Sequence, residues 1–222
     1  MGISQSDTFP GRIFKVSTMP KITVTAETGG VRFHTDTNNN NIVTVVATQI
    51  DTGLFGKTQI VNVNATQDAN ANTININEQK TSSISTNTYV DLDITLPANS
   101  DIQASLNSGA ITIDGVSGAM NLKDNSGTID IENSTLTGTS NIRENAGDII
   151  FRGSITNAGD YTFENNGGTI DLALLANSAF TLDSKDDIGK VNNEFGSNTV
   201  GTNPTSQIHV KDHTGTITIH KQ

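Results

Sequence analysis

The sequence predicts an all-β protein, a single-stranded β-helix (β-solenoid) with coils of about 18–21 residues. Three observations predict it. Of 222 residues, 32 are Thr and 26 are Asn, while hydrophobic residues make up 33% and aromatic residues 5%. Thr favours strands, Asn and Gly favour turns, and the background that long helices need is thin. The apolar residues fall in short alternating runs, which separates the chain from a disordered one of similar hydropathy. Most telling, one frame of strand, corner and strand recurs along the chain.

Residues 1–19 read as an N-terminal leader and 20–222 as one β-solenoid domain. The first copy of the frame has Ile22 and Val24 before Gly29, with Val31 and Phe33 after it. The rest of 20–97 reads as less regular, longer or antiparallel coils. Its strands are Ile42–Ile50, Ile60–Ala65, Thr73–Asn77 and Val90–Leu96, joined by polar loops such as Thr35–Asn41 and Gln67–Asn72. A domain boundary near Pro97 is the alternative division.

Regular coils follow over 98–191. Ile102 and Ala104 precede Gly109, Asn107 stands two before it, and Ile111 and Ile113 follow. Gly127 carries Met120, Leu122, Asn125, Ile129 and Ile131 in the same places. Gly147 carries Ile142, Asn145, Ile149 and Phe151, and Gly168 carries Tyr161, Phe163, Asn166, Ile170 and Leu172. These glycines stand 18, 20 and 21 residues apart. A weaker copy surrounds Gly189, 192–207 reads as an inserted loop, and a final coil over 208–222 turns at Gly215. Glycine suits a corner where φ is positive or a neighbouring backbone passes close. A unit this short cannot bury its apolar face alone, but coils stacked about 4.8 Å apart can share one core. Ile111, Ile113, Ile129, Ile131, Ile149, Phe151, Ile170 and Leu172 are therefore expected to point inward.

The formal net charge of -10 repels a phosphate backbone, so nucleic acid is not an expected partner. There is no Cys, and hence no disulfide, thiol nucleophile or thiolate metal site. Neither a signal-peptide core in the first twenty residues nor an 18-residue apolar run is present, so this segment is not expected to insert in a membrane.

The run from Val90 to Pro97, VDLDITLP, followed by Leu106–Ile113, LNSGAITI, and the repeated Asn-x-Gly-x-Ile units resembles the bacterial putative-adhesin family of β-strand-repeat proteins. The resemblance spans about Ile22 to Ile219 and lies in the repeat, not in a catalytic motif. It implies a single-stranded β-helix, an extracellular or cell-envelope location, and an N-terminal membrane anchor; a chain starting at Met1-Gly2 without that anchor would suit an excised ectodomain. It carries no catalytic residues over.

Aligned corners place Asp124, Glu144, Asn165, Asp186 and Asp212 three before the glycine, and Lys123, Arg143, Glu164, Lys185 and Lys211 four before it. Stacking turns these into adjacent columns. Lys123, Asp124, Arg143, Glu144, Lys185 and Asp186 are thus a candidate ridge for a polysaccharide or a divalent cation; the alternative is a solvated corner of alternating charge. The Asn column of Asn107, Asn125, Asn145 and Asn166 reads as a structural amide ladder. His209, His213 and His220 cluster in the last coil, but no carboxylate set at fixed spacing beyond Asp212 joins them, so neither a metal nor another cofactor is expected.

No nucleophile elbow, His-Glu-x-x-His or phosphate loop is present. The outward column of Thr112, Asp130, Ile150, Asp171, Asn192 and Thr218 interrupts its two acids with an Ile, a poor catalytic pair. The expectation is a non-catalytic cell-surface adhesin or scaffolding module whose partner is a cell-surface polysaccharide or protein. A polysaccharide lyase or hydrolase and a purely structural spacer are the alternatives.

Overall fold

The computed structural model describes residues 5–36, 41–51, 61–80 and 88–222. Among the described residues, twenty strands form one continuous sheet. Seven come from the N-terminal part: β1 (Gln5–Thr8), β2 (Arg12–Lys15), β3 (Lys21–Thr35), β4 (Ile42–Asp51), β5 (Val61–Asp68), β6 (Thr73–Lys80) and β7 (Thr88–Leu96). The middle supplies β8 (Asp101–Asp114), β9 (Ser117–Gly118), β10 (Met120–Asp124), β11 (Gly127–Leu136), β12 (Thr139–Glu144), β13 (Gly147–Ile155), β14 (Asp160–Asn165) and β15 (Gly168–Leu174). The last are β16 (Phe180–Asp186), β17 (Lys190–Asn193), β18 (Thr199–Val200), β19 (Ser206–Asp212) and β20 (Gly215–Lys221). Among the described residues there is no helix, and so none long and apolar enough to cross a membrane. Ile60, in the second expected strand, and Thr37–Asn40, in an expected loop, lie outside the described residues.

From β8 onward the chain bends at each anchor glycine and lays its two arms parallel to those of a neighbouring coil. Gly109, Gly127, Gly147, Gly168 and Gly215 pair in turn, so each corner sits on the one before. The same register sets Ile111, Ile129, Ile149, Ile170 and Ile217 in one column and Ile113, Ile131, Phe151, Leu172 and Ile219 in the next. All ten are fully buried. On the first arm Ile102, Met120, Ser140, Tyr161 and Ile208 form another buried column. A short third side follows, where Ser117–Gly118 pairs with Thr135–Leu136 and these with Ser154–Ile155. Alternation thus becomes a shared interior because parallel register aligns residues of equal parity.

Glycine is required at the corners. A β-carbon built on Gly147 would stand 1.8 Å from the Gly127 carbonyl oxygen, and Gly147 has φ of 156°. No side chain fits between backbones that pass so closely.

Stacking departs from chain order at both ends. β3 pairs along its length with β8, placing the Gly29 copy directly on the Gly109 copy although residues 36–100, which carry β4 to β7, intervene. On the far side of β3, β6 covers Lys21–Thr25 and β7 covers Val31–Thr35, both parallel. Beyond them the sheet turns antiparallel: β5 pairs with β6, β4 with β7, and β1 and β2 with β4. At the other end β19 lies between β14 and β16, and β20 between β15 and β17. The coil that comes last in the sequence is therefore next to last in the stack. A single apolar cluster runs from Ile22 to Ile219 through the whole body, with the Phe151 and Phe163 rings 5.8 Å apart inside it.

Candidate functional site

Strand parity decides which way each corner residue points. Met120 and Leu122 are buried on the first arm, and Asp124, two residues on, continues the inward set at 1% exposure. Glu144, Asn165 and Asp212 do likewise on their strands, at 3%, 0% and 0%. The ridge expected from Lys123, Asp124, Arg143, Glu144, Lys185 and Asp186 therefore splits in two. Lys123, Arg143 and Lys185 are exposed on the outer face, Asp124 and Glu144 are inside, and Asp186 is half-buried.

Register pairs Ser105, Lys123, Arg143, Glu164, Lys211 and Lys185 into one outward column. Within it the Arg143 Nε lies 3.3 Å from a Glu164 carboxylate oxygen, and the Lys185 ammonium 2.9 Å from Asp187. Beside this column run Gln103, Asn121 and Asn141, with Asn141 Nδ2 donating to Asn121 Oδ1 at 3.1 Å. These side chains line a shallow depression of about 510 Å³ with Lys123 and Arg143 on one flank. A second depression of about 260 Å³ lies on the other flank, toward the corner, where Asn125, Asn145 and Asn166 stand. There Asn125 Nδ2 donates to Asn107 Oδ1 at 3.1 Å and Asn166 Nδ2 to Asn145 Oδ1 at 2.7 Å. The Asn column is an outward-facing ladder. The two cations thus stand between two rows of amides, able to offer charge-assisted hydrogen bonds beside neutral donors and acceptors.

Behind them the inner acids bind the corner backbone. Asp124 Oδ1 accepts from the Ser126 amide at 3.3 Å, and Glu144 Oε1 from Asn145 and Ala146 at 3.2 Å each. Burial pushes the carboxyls of Asp124 and Glu144 above their ordinary range, the Asp124 charge adds to the rise at Glu144, and the corner amides pull both back.

The outer face of the second arm is different. Asp130, Ile150 and Asp171 share a column as expected, but Arg152 from the adjacent column lies 3.9 Å from Asp130, 3.3 Å from Glu132 and 3.6 Å from Asp171. Burial raises the Asp130 carboxyl first, the Glu132 charge raises it further, and the Arg152 guanidinium lowers it. Sequence reasoning did not single out Arg152, although its place five residues after Gly147 matches Glu132 after Gly127 and His220 after Gly215. The three C-terminal histidines each meet carboxylates of their own. His209 lies 3.7 Å from Asp160 and 3.5 Å from Asp183, His213 lies 2.7 Å from Asp187, and His220 lies 3.2 Å from Asp171 and 3.0 Å from Glu194. Among the described residues no group of three or more His, Cys, Asp or Glu could hold a metal ion.

No protein-family model matches the sequence, and no curated protein matches it. Solved structures do. A putative adhesin from Bacteroides fragilis is 15% identical, with 97% of each chain covered and a TM-score of 0.45. A putative lipid binding protein from Parabacteroides distasonis is 13% identical over 99% of this chain and 95% of that one, with a TM-score of 0.39. A putative cell adhesion protein from Clostridium sporogenes is 13% identical over 99% of this chain and all of that one, with a TM-score of 0.53. From end to end, then, this chain has the all-β fold of a bacterial protein described as a putative cell adhesion protein.

Proposed function

We propose that the chain is a non-catalytic cell-surface protein, an adhesin or scaffolding module, that binds through the outer face of the first arm. The observation that carries this reading is the placing of Lys123 and Arg143 between two shallow amide-lined depressions. The face is broad, polar and repeated from coil to coil, which suits a polymeric or crowded partner bound weakly at each coil and strongly in sum. A cell-surface polysaccharide or protein has that character. On this reading the parallel coils of β3, β6 to β17, β19 and β20 form a single-stranded β-helix with an antiparallel extension of β1, β2, β4 and β5, and the protein acts outside the cell or in its envelope. The C. sporogenes likeness supports the fold part of the reading.

The test is binding of the purified protein to a glycan array and to intact bacterial cell walls, with Lys123→Ala and Arg143→Ala together as the variant. Saturable binding that the double variant weakens at least tenfold is the expected result. Turnover of an acidic polysaccharide, lost in Asp130→Asn or Asp171→Asn, would replace the proposal with a lyase or hydrolase. Absence of binding to any surface would leave the structural spacer.

A further inference from the structure

The inner side of the corners carries acids whose second oxygen has no partner. Asp124 Oδ2, Glu144 Oε2, Asp186 Oδ2 and Asp212 Oδ2 are enclosed and accept no hydrogen bond, while the first oxygen of each bonds the corner backbone. A carboxylate oxygen sealed from water without a donor is costly.

Asn165 occupies the equivalent place in the coil between Glu144 and Asp212 and shows what the second atom is for. Its Oδ1 accepts from the Gly167 amide at 3.2 Å, just as Asp124 Oδ1 does from Ser126 and Asp212 Oδ1 from Thr214. Its Nδ2 donates to the Gly147 carbonyl of the neighbouring coil at 2.8 Å. The unpartnered acid oxygens sit where that nitrogen sits. A β-carbon on Gly168 would stand 1.8 Å from Gly147 O and 3.2 Å from Asn165 Nδ2. On Gly127 it would stand 1.7 Å from Gly109 O and 2.9 Å from Asp124 Oδ2, and on Gly215 it would stand 1.8 Å from Gly168 O and 2.6 Å from Asp212 Oδ2. An ionised carboxylate there presents lone pairs toward a carbonyl; a neutral carboxyl can donate O–H instead.

We propose that Asp124 and Asp212 hold a proton on Oδ2 in the folded protein and donate it to the corner carbonyls of Gly109 and Gly168, as Asn165 donates to Gly147, so that the stack tightens as pH falls.

The surroundings favour the neutral form. Asp124 faces Leu106 on one coil and Glu144 on the other, while Lys123 and Arg143 point to the opposite side of the sheet. Asp212 lies between Asn165 and Asp186, with His213 next to it at the corner and itself paired with Asp187. Burial is the largest influence on both and raises both carboxyls above 3.8; the Asp186 charge adds to the rise at Asp212, and the corner amides and His213 oppose it. A folded-state pKa above the unfolded one means that the fold binds the proton more tightly. The resulting stability is fully present below the unfolded pKa and is lost as pH rises through the folded one. Across that window these two carboxyls add stability as pH falls.

Two measurements on the full chain test this. Side-chain carboxyl carbon resonances followed by NMR should show Asp124 and Asp212 titrating above the ordinary aspartate range. The melting temperature of the parent protein, relative to that of Asp124→Asn with Asp212→Asn, should rise as pH falls through the titration of the two carboxyls toward about 4, with the variant at or above the parent value at about pH 8. Titration of both groups in the ordinary range overturns the proposal, and the parent protein answers that even if the variant misfolds. So does a variant that melts far below the parent at about pH 8, or a parent in which Ca²⁺ raises the melting temperature as acid does, which would put a cation rather than a proton at the unpartnered oxygens.

Discussion

The carbonyl oxygen of Gly109 lies 1.7 Å from the point where Gly127 would carry a β-carbon. The two corners are therefore closed against each other by backbone alone. Gly127→Ala combines that clash with a φ of 152° and should lower stability by about 3 kcal/mol or more. Gly138→Ala is the control: it also has positive φ, at 57°, but nothing lies within 4 Å, so its cost should stay near 1 kcal/mol. Chemical denaturation of both variants separates close approach from conformational strain.

Ile129 stands between Ile111 and Ile149 with no exposure. Cutting it to Ala removes buried methyl groups from a column whose neighbours are fixed by ladder hydrogen bonds and cannot collapse inward. Ile129→Ala should cost about 2–5 kcal/mol. An unchanged melting transition would show that the column is not packed as described.

The buried Tyr161 hydroxyl accepts from the Thr156 amide at 3.1 Å and lies 3.0 Å from the Leu136 carbonyl and 2.9 Å from the Thr156 carbonyl, to either of which it can donate. Tyr161→Phe keeps the ring and leaves the Thr156 amide bonded to the Leu136 carbonyl at 3.0 Å and the Thr156 carbonyl to the Ser206 hydroxyl at 2.9 Å, so only the hydroxyl's own bonds are lost and a cost of about 1 kcal/mol is expected. Amide hydrogen exchange at Thr156 should accelerate more than exchange in β12 or β14.

Arg152 offsets the mutual repulsion of three carboxylates, yet all four side chains are partly exposed. Arg152→Met should cost on the order of 1 kcal/mol at low ionic strength, and the cost should shrink as salt is added. A loss that does not respond to salt would mean that the aliphatic stem, not the charge, matters there.

Much of the interior was legible because each arm alternates strictly and the inward parity switches in the same way at every corner. Ile111 and Ile113 point inward in the sequence pattern and in the structure, as do their counterparts in the three coils that follow. The same parity, Met120, Leu122, Asp124, also marks the acids as inward, but side-chain charge argued for solvent and hid the signal. The outward place of Lys123 and Arg143 follows from alternation, whereas the salt bridge from Arg152 to Asp171 depends on which coils become neighbours. Coil order was not legible for a physical reason: every coil presents the same frame of a glycine corner between alternating arms, so the frame itself does not say which coil stacks on which. What chooses among them is the length and path of the connections, and over 192–207 these carry little apolar pattern.

The interleaving of β19 and β20 between two earlier coils bears on how the chain can be made and folded. Synthesis delivers β14–β15, then β16–β17, and only then the pair that belongs between them. A growing stack therefore cannot close by simple zipping from one end. Either a slot must wait open for 206–221, or β16–β17 must remain undocked until those residues arrive. Both routes delay the final long-range pairings and leave strand edges bare in the meantime, a period in which association with another chain competes with completion. Shortening the C-terminus before β19 would accordingly remove the middle of a sandwich of coils and release the β16–β17 end with it.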